Sequence, residues 1–197
     1  ATLTSLTLVD PADTPVRLLV TDQTLPTQLV VPNDVPGENQ ITGLINVDLP
    51  VADHEAEKTF FQTMLGVTPE NNQFKLEAGN TLTLKPSLTD SIKRFGRGSM
   101  DHFALTVDHE ETLPRLGTIA AQHGYEVEEF ADRGWFKSLY VRDPADNRIE
   151  FATKEPGFAL DEPLAHLGEG LGLPPKFEAQ RQAIETYFKT KGVDFHD

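Results

Sequence analysis

Apolar and polar residues alternate through "ITGLINVDLPV", from Ile41 to Val51, as in a strand with one buried face. The pattern then changes: "ADHEAEKTFFQTMLG" carries apolar residues at helical spacing and stops at Gly66, a residue suited to ending a helix. "NQFKLEAG" and "NTLTLKPS" return to strand-like composition and predict two strands joined through Ala78 and Gly79. The same order follows at once. "MDHFALTVD" reads as a strand, "HEETLPRLGTIAAQHG" as a helix stopped at Gly124, and "YEVEEF", "KSLYVRD" and "NRIEFATK" as three more strands. Pro144 and Asn147 suit the tight turn between the last two. Aligning the two opening strands sets Asn46 opposite His102 at an offset of 56 residues.

A further echo lies near the start of the chain. "SLTLVDPADTPVRLL", Ser5 to Leu19, repeats the phrase "SLYVRDPADNRIEF", Ser138 to Phe151, at a constant offset of 133, with Arg17 where the later copy has Glu150. The predicted organisation is therefore modular. Residues 1–20 read as the last strands of a preceding βαβββ module and 21–40 as a linker rich in Pro, Asn and Gly. Residues 41–97 read as a βαβββ module without metal ligands, 98–154 as one with them, and 155–197 as a C-terminal loop and helix. A chain opening on closing strands would leave an unpaired sheet edge, so the expectation is a longer protein, with preceding modules or a companion chain.

Composition narrows the function classes. Seventeen basic against 31 acidic residues give a net charge of −14, which repels nucleic acid and anionic membrane surfaces. No apolar run approaches the roughly 20 residues that span a bilayer, and no signal-peptide layout is present; no membrane partner and a cytoplasmic location are expected. With no cysteine, any metal must be held by His, Asp or Glu.

His102 falls in the opening strand of the last unit and Glu150 in its closing strand. A half-barrel would bring two inward-facing side chains together there, and imidazole with carboxylate suits a divalent first-row metal. Two His and one carboxylate with open positions is the donor set of non-heme Fe(II) oxygenases; one such ligand is absent from this pair. Taken alone, His102 is one of six histidines and lies in an apolar strand, where a hydrogen-bonded core histidine is the commoner case. An ionised Glu150 buried without a partner would be costly, so it faces solvent or a cation. Arg133 could orient an anionic oxygen and Tyr140 could donate to it, or the two could be a loop arginine and a sheet-edge tyrosine. His166 reads as structural, and the apolar spacing of Phe177, Ile184, Tyr187 and Phe188 as a helix that packs against the barrel or a partner.

"MDHFALTVD", "DRGWFKSLYVRDPADNRIEFAT", "EPGFALDEPLAHLGEGLGLPP" and "EAQRQAIETYF", in this order, resemble the C-terminal half of the vicinal oxygen chelate ring-cleaving dioxygenases of the glyoxalase/extradiol dioxygenase superfamily, in their hydroquinone dioxygenase-like branch. The resemblance implies an α+β fold of paired βαβββ modules forming a curled mixed-sheet half-barrel. It implies Fe(II), or sometimes Mn(II), held by two His and one Glu, with His102 and Glu150 as two of the three ligands. The other His belongs to a first module that this chain does not contain. Arg133 and Tyr140 fall where the family places the residues that assist at the metal. Asp101 stands where many members have a second His, which removes an acid/base group from the usual set. Asn46 and Thr83 match His102 and Glu150 in position without forming a metal pair. The implied reactants are an aromatic diol, either a hydroquinone or a catechol, and dioxygen; a homo-oligomer is expected. The competing readings are a small-molecule or metal-binding protein without turnover, and a metal-dependent isomerase or lyase of the same fold.

Overall fold

A computed structural model describes residues 4–11, 13–76, 79–87, 100–193 and 195. The chain is α+β and falls into two compact units, Ala1–Lys58 with Val67–Asp101, and Thr59–Gly66 with His102–Asp197.

In the first unit, β1 (Ser5–Val9) and β2 (Pro15–Leu19) form an antiparallel hairpin. Its turn has the same construction as the one at Asp143. Asp10 N–H donates to Thr14 O at 3.0 Å and Asp143 N–H to Asn147 O at 3.1 Å. Asp13 and Asp146 both take left-handed backbone conformations, with φ of 63° and 62°, which aspartate tolerates better than most side chains. The repeated phrase is thus a repeated structure.

Residues 21–40 are more organised than a linker. Two short 3-10 turns, Thr27–Leu29 and Gly37–Asn39, flank a loop held by Gln40, whose amide nitrogen donates to Val31 O at 2.8 Å and Val35 O at 2.9 Å. The side-chain amide substitutes for a backbone ladder, a device that composition does not reveal.

β3 (Asn46–Val51) is followed by α1 (His54–Leu65), whose first turn is capped by Asp53 Oδ1 accepting from the N–H groups of Glu55 and Ala56. β4 (Gln73–Lys75) and β5 (Thr81–Pro86) complete a sheet in the order β3-β5-β4, in which β3 runs parallel and β4 antiparallel to β5. Among the described residues of 41–97 there are three strands, not the four of a βαβββ module. Ala78, in the expected turn, and residues 88–97, at the end of that module, include positions outside the described residues.

The second unit holds a mixed sheet in the order β6-β9-β8-β7. Its strands are β6 (His102–Val107), β7 (Val127–Asp132), β8 (Lys137–Arg142) and β9 (Arg148–Thr153), with α2 (Thr112–Gln122) between β6 and β7. The buried stripe Leu113, Leu116, Gly117 and Ala120 follows helical spacing and faces β7 and β8. Gly124, with φ of 77°, ends the helix while Tyr125 N–H reaches back to Ala120 O at 2.9 Å.

Period-two alternation divides this sheet by function. Leu139, Val141, Ile149 and Phe151 are all buried and form one apolar face. Ser138, Tyr140, Arg148 and Glu150 alternate with them and point to the other. Phe60, on α1, meets Tyr125 edge to face with centroids 4.8 Å apart, and Phe61 stacks near Phe103 at 6.5 Å. After β9 the chain runs through short 3-10 turns to α3 (Arg181–Thr190), none of whose residues is buried. Phe188 instead meets Tyr187 and Phe195 at its own end of the chain.

Candidate metal centre

The central strands β8 and β9 put Tyr140 directly across from Glu150, and the parallel pair β6 and β9 puts Ala104 across from Glu150, two residues beyond His102. Three strands therefore converge on one carboxylate. Glu150 is only 4% exposed. Its Oε1 accepts from Ser138 Oγ at 2.5 Å and from Tyr140 OH at 2.8 Å, and its Oε2 lies 2.8 Å from His102 Nε2. Burial of this carboxylate is compensated at both oxygens.

His102 keeps 32% of its side chain exposed against 5% for Glu150, so the imidazole is the more accessible member of the pair. Two donors each about 2.1 Å from one ion, at a right angle, lie about 3.0 Å apart. The observed 2.8 Å separation is that of a direct hydrogen bond, and it is also close to the spacing of two neighbouring donors on one divalent metal. Imidazole nitrogen and carboxylate oxygen suit that metal chemically. Among the described residues, no third His, Asp or Glu joins them.

Arg133 and Tyr140 do come to the same place. Arg133 Nη2 donates to Tyr140 OH at 3.4 Å, and this bond holds the guanidinium more firmly protonated than usual. Burial raises the Tyr140 phenol above its ordinary value; the Arg133 hydrogen bond opposes this and Glu150 reinforces it. Tyr140 thus remains a donor throughout neutral pH. Asp101 lies exposed beside His102 in sequence, just outside β6.

Several residues here were not singled out from sequence. Ser138 is buried beside Glu150, and Arg148 stacks its guanidinium 3.9 Å from the Tyr140 ring centre. Arg148 is held by Glu128 at 3.0 Å and Glu129 at 3.5 Å, while Glu129 also meets Arg133 at 3.4 Å. A bulge between Val127 and Glu129 lets these adjacent glutamates both reach arginines of the polar face. Period two from Glu150 and Tyr140 already places Arg148 and Ser138 on the same face; the bulge has no such signature. His166 pairs with Glu169 at 2.9 Å on the surface, as a structural residue would. A groove of about 600 Å³ between α2 and β7, lined mainly by apolar atoms, contains none of the residues around Glu150.

The chain is similar to proteins of one known superfamily. The family model described as Glyoxalase/Bleomycin resistance protein/Dioxygenase superfamily matches residues 43–151. "Putative ring-cleaving dioxygenase MhqA" of Bacillus subtilis (strain 168) is 38% identical over 97 residues, 49% of this chain and 31% of the relative. "Putative ring-cleaving dioxygenase MhqO" of the same organism is 36% identical over 110 residues, 55% of this chain and 35% of the relative. The matched region spans about a third of these curated relatives. A solved structure of a putative dioxygenase from Bacillus subtilis superposes with a TM-score of 0.75 at 25% identity, covering 92% of this chain and 60% of the other. A glyoxalase/dioxygenase from Nostoc punctiforme shares the fold, with a TM-score of 0.51 at 20% identity over 62% of this chain and 98% of the other.

Proposed function

Since the chain belongs to the Glyoxalase/Bleomycin resistance protein/Dioxygenase superfamily, we propose that it serves in the ring-opening dioxygenation of a hydroquinone or catechol at a divalent metal held in part by His102 and Glu150. The observation that carries this reading is the buried Glu150 carboxylate with its Oε2 2.8 Å from Nε2 of the partly exposed His102. The ring-cleaving names of the curated relatives support the reaction class.

Fe(II), or Mn(II), bound there would supply a centre at which a diol oxygen and dioxygen meet and exchange electron density. The chain's own residues do the rest. Glu150 offers Oε2 while its other oxygen is occupied by hydroxyl donors. Tyr140, kept protonated, holds its proton against Glu150 and its oxygen toward Arg133. Arg133 keeps a fixed positive charge beside that phenol, where it stabilises negative charge developing on a substrate oxygen. Arg148, stacked on the Tyr140 ring, restrains the ring's orientation.

The test is oxygen uptake by protein purified from its native source without oxygen, with hydroquinone and catechol offered in turn. Metal-dependent uptake of one dioxygen per ring opened supports the proposal. Stoichiometric metal with no uptake favours binding without turnover. Substrate conversion with no oxygen consumed favours an isomerase or lyase.

A further inference from the structure

We propose that Ser138 is a positioning residue for the metal site: its hydroxyl, with that of Tyr140, occupies Glu150 Oε1 and so presents Oε2 alone beside His102 Nε2. This rests on the reading of His102 and Glu150 as metal donors.

Both hydroxyl contacts fall on one oxygen of the carboxylate, Ser138 Oγ at 2.5 Å and Tyr140 OH at 2.8 Å, while the contact with His102 falls on the other. Ser138 is 1% exposed and Glu150 4%, so water does not compete freely for either group. The two donors come from the same strand at positions two apart, and Tyr140 is the direct cross-strand partner of Glu150. Rotation of the carboxylate would break two hydrogen bonds to Oε1 in a buried site, which costs more than the same loss in water. Tyr140 is stacked under Arg148 and its hydroxyl is shared between Glu150 and Arg133. Ser138 is engaged with the carboxylate and is buried, so its bond holds the ligand whatever Tyr140 does.

The experiment is Mn(II) binding to the whole chain, read from the free-ion paramagnetic signal, for the unaltered protein, Ser138→Ala, Ser138→Thr and Glu150→Gln. Removing a residue that orients a metal ligand typically weakens binding about 10- to 100-fold. Ser138→Ala is expected at about the lower end of that range, while Ser138→Thr, which keeps the hydroxyl, stays within about threefold of the unaltered protein. Unfolding in chelator checks that both variants keep the fold. If Glu150→Gln loses Mn(II) but Ser138→Ala binds as tightly as the unaltered protein, the role of Ser138 is overturned and the metal site stands. If Glu150→Gln binds normally, the site itself is wrong.

Difference infrared spectra on adding Mn(II) to the unaltered protein need no Ser138 variant. A wide splitting of the carboxylate bands assigned to Glu150, by their absence in Glu150→Gln, indicates binding through one oxygen and supports the proposal. A narrow splitting, from both oxygens on the metal, overturns it.

Discussion

The sheets β3-β5-β4 and β6-β9-β8-β7 place corresponding residues in the same register and fill those positions with opposite chemistry. Glu150 pairs with Tyr140 on the antiparallel side and Ala104 on the parallel side, two residues past His102. Thr83 pairs with Gln73 and Asp48 in the same way, two residues past Asn46. Around Thr83 the contacts to Thr83 itself come from neutral groups, while the exposed Asp48 carboxylate beside it accepts from Asn46 Nδ2 at 2.8 Å. Asn46 Oδ1 accepts from Thr81 Oγ1 at 2.7 Å and Thr83 Oγ1 at 2.8 Å, and Gln73 Nε2 donates to Thr83 Oγ1 at 3.1 Å. Uncharged donors and acceptors satisfy one another there, and the one neighbouring carboxylate, Asp48, stays exposed to solvent rather than buried like Glu150. Around Glu150 the same backbone holds an acid, an imidazole and a phenol flanked by arginines. On the proposed function, the repeated module is a scaffold and side-chain charge decides which copy carries chemistry.

Glu150→Gln should have the largest effect on this contrast. It makes the closing-strand position neutral, as at Thr83, and should abolish metal retention while the circular dichroism of the fold persists; metal analysis after reconstitution without oxygen checks it. Tyr140→Phe should slow turnover much more than it weakens metal binding, because it leaves both proposed donors in place. Stopped-flow rates measured alongside metal titration separate the two effects.

The reverse change sharpens the comparison. Thr83→Glu sets a carboxylate against Asn46 Oδ1 and across from Asp48, with the neutral Gln73 amide in the place of the arginine-flanked Tyr140 phenol. It should destabilise the fold by about 1–3 kcal/mol, the usual range for an uncompensated polar group, as measured by urea unfolding.

The smallest expected effect concerns the turn that carries Arg133. Lys176 hydrogen-bonds and pairs with Asp132, and Gly134 N–H also donates to it, which lowers the Asp132 carboxyl below its ordinary value. A carboxyl lowered in the folded state adds stability above its unfolded value, and this is lost as pH falls through the folded one. The contribution should be slight because the pair is exposed. Fluorescence of Trp135, two residues beyond Arg133, should show an acid-induced change that Asp132→Asn largely removes.

Much of the scaffold was legible because it is written in periodicity. The spacing of β3, α1, β6, α2 and β7 to β9 follows two local rules, alternation and helical phase, that need no tertiary information. His102, Glu150, Tyr140 and Arg133 were legible as chemistry through the family resemblance, and the register then brought them together. The offset between copies grows from 56 residues at Asn46 and His102 to 67 at Thr83 and Glu150. The additional chain in the later module includes β7, which has no counterpart between α1 and β4. The Gln40-centred loop and the Glu128–Glu129 bulge depend on three-dimensional closure, so no local pattern announced them.

Paramagnetic broadening of assigned amide resonances by substoichiometric Mn(II) tests the central claim most directly, because it reports where the ion sits on the whole chain. The account predicts broadening centred on His102, Tyr140 and Glu150, absent in Glu150→Gln, with no second centre at Asn46 and Thr83. Broadening centred on Asn46 and Thr83, or spread over the acidic surface and unchanged in Glu150→Gln, would contradict it.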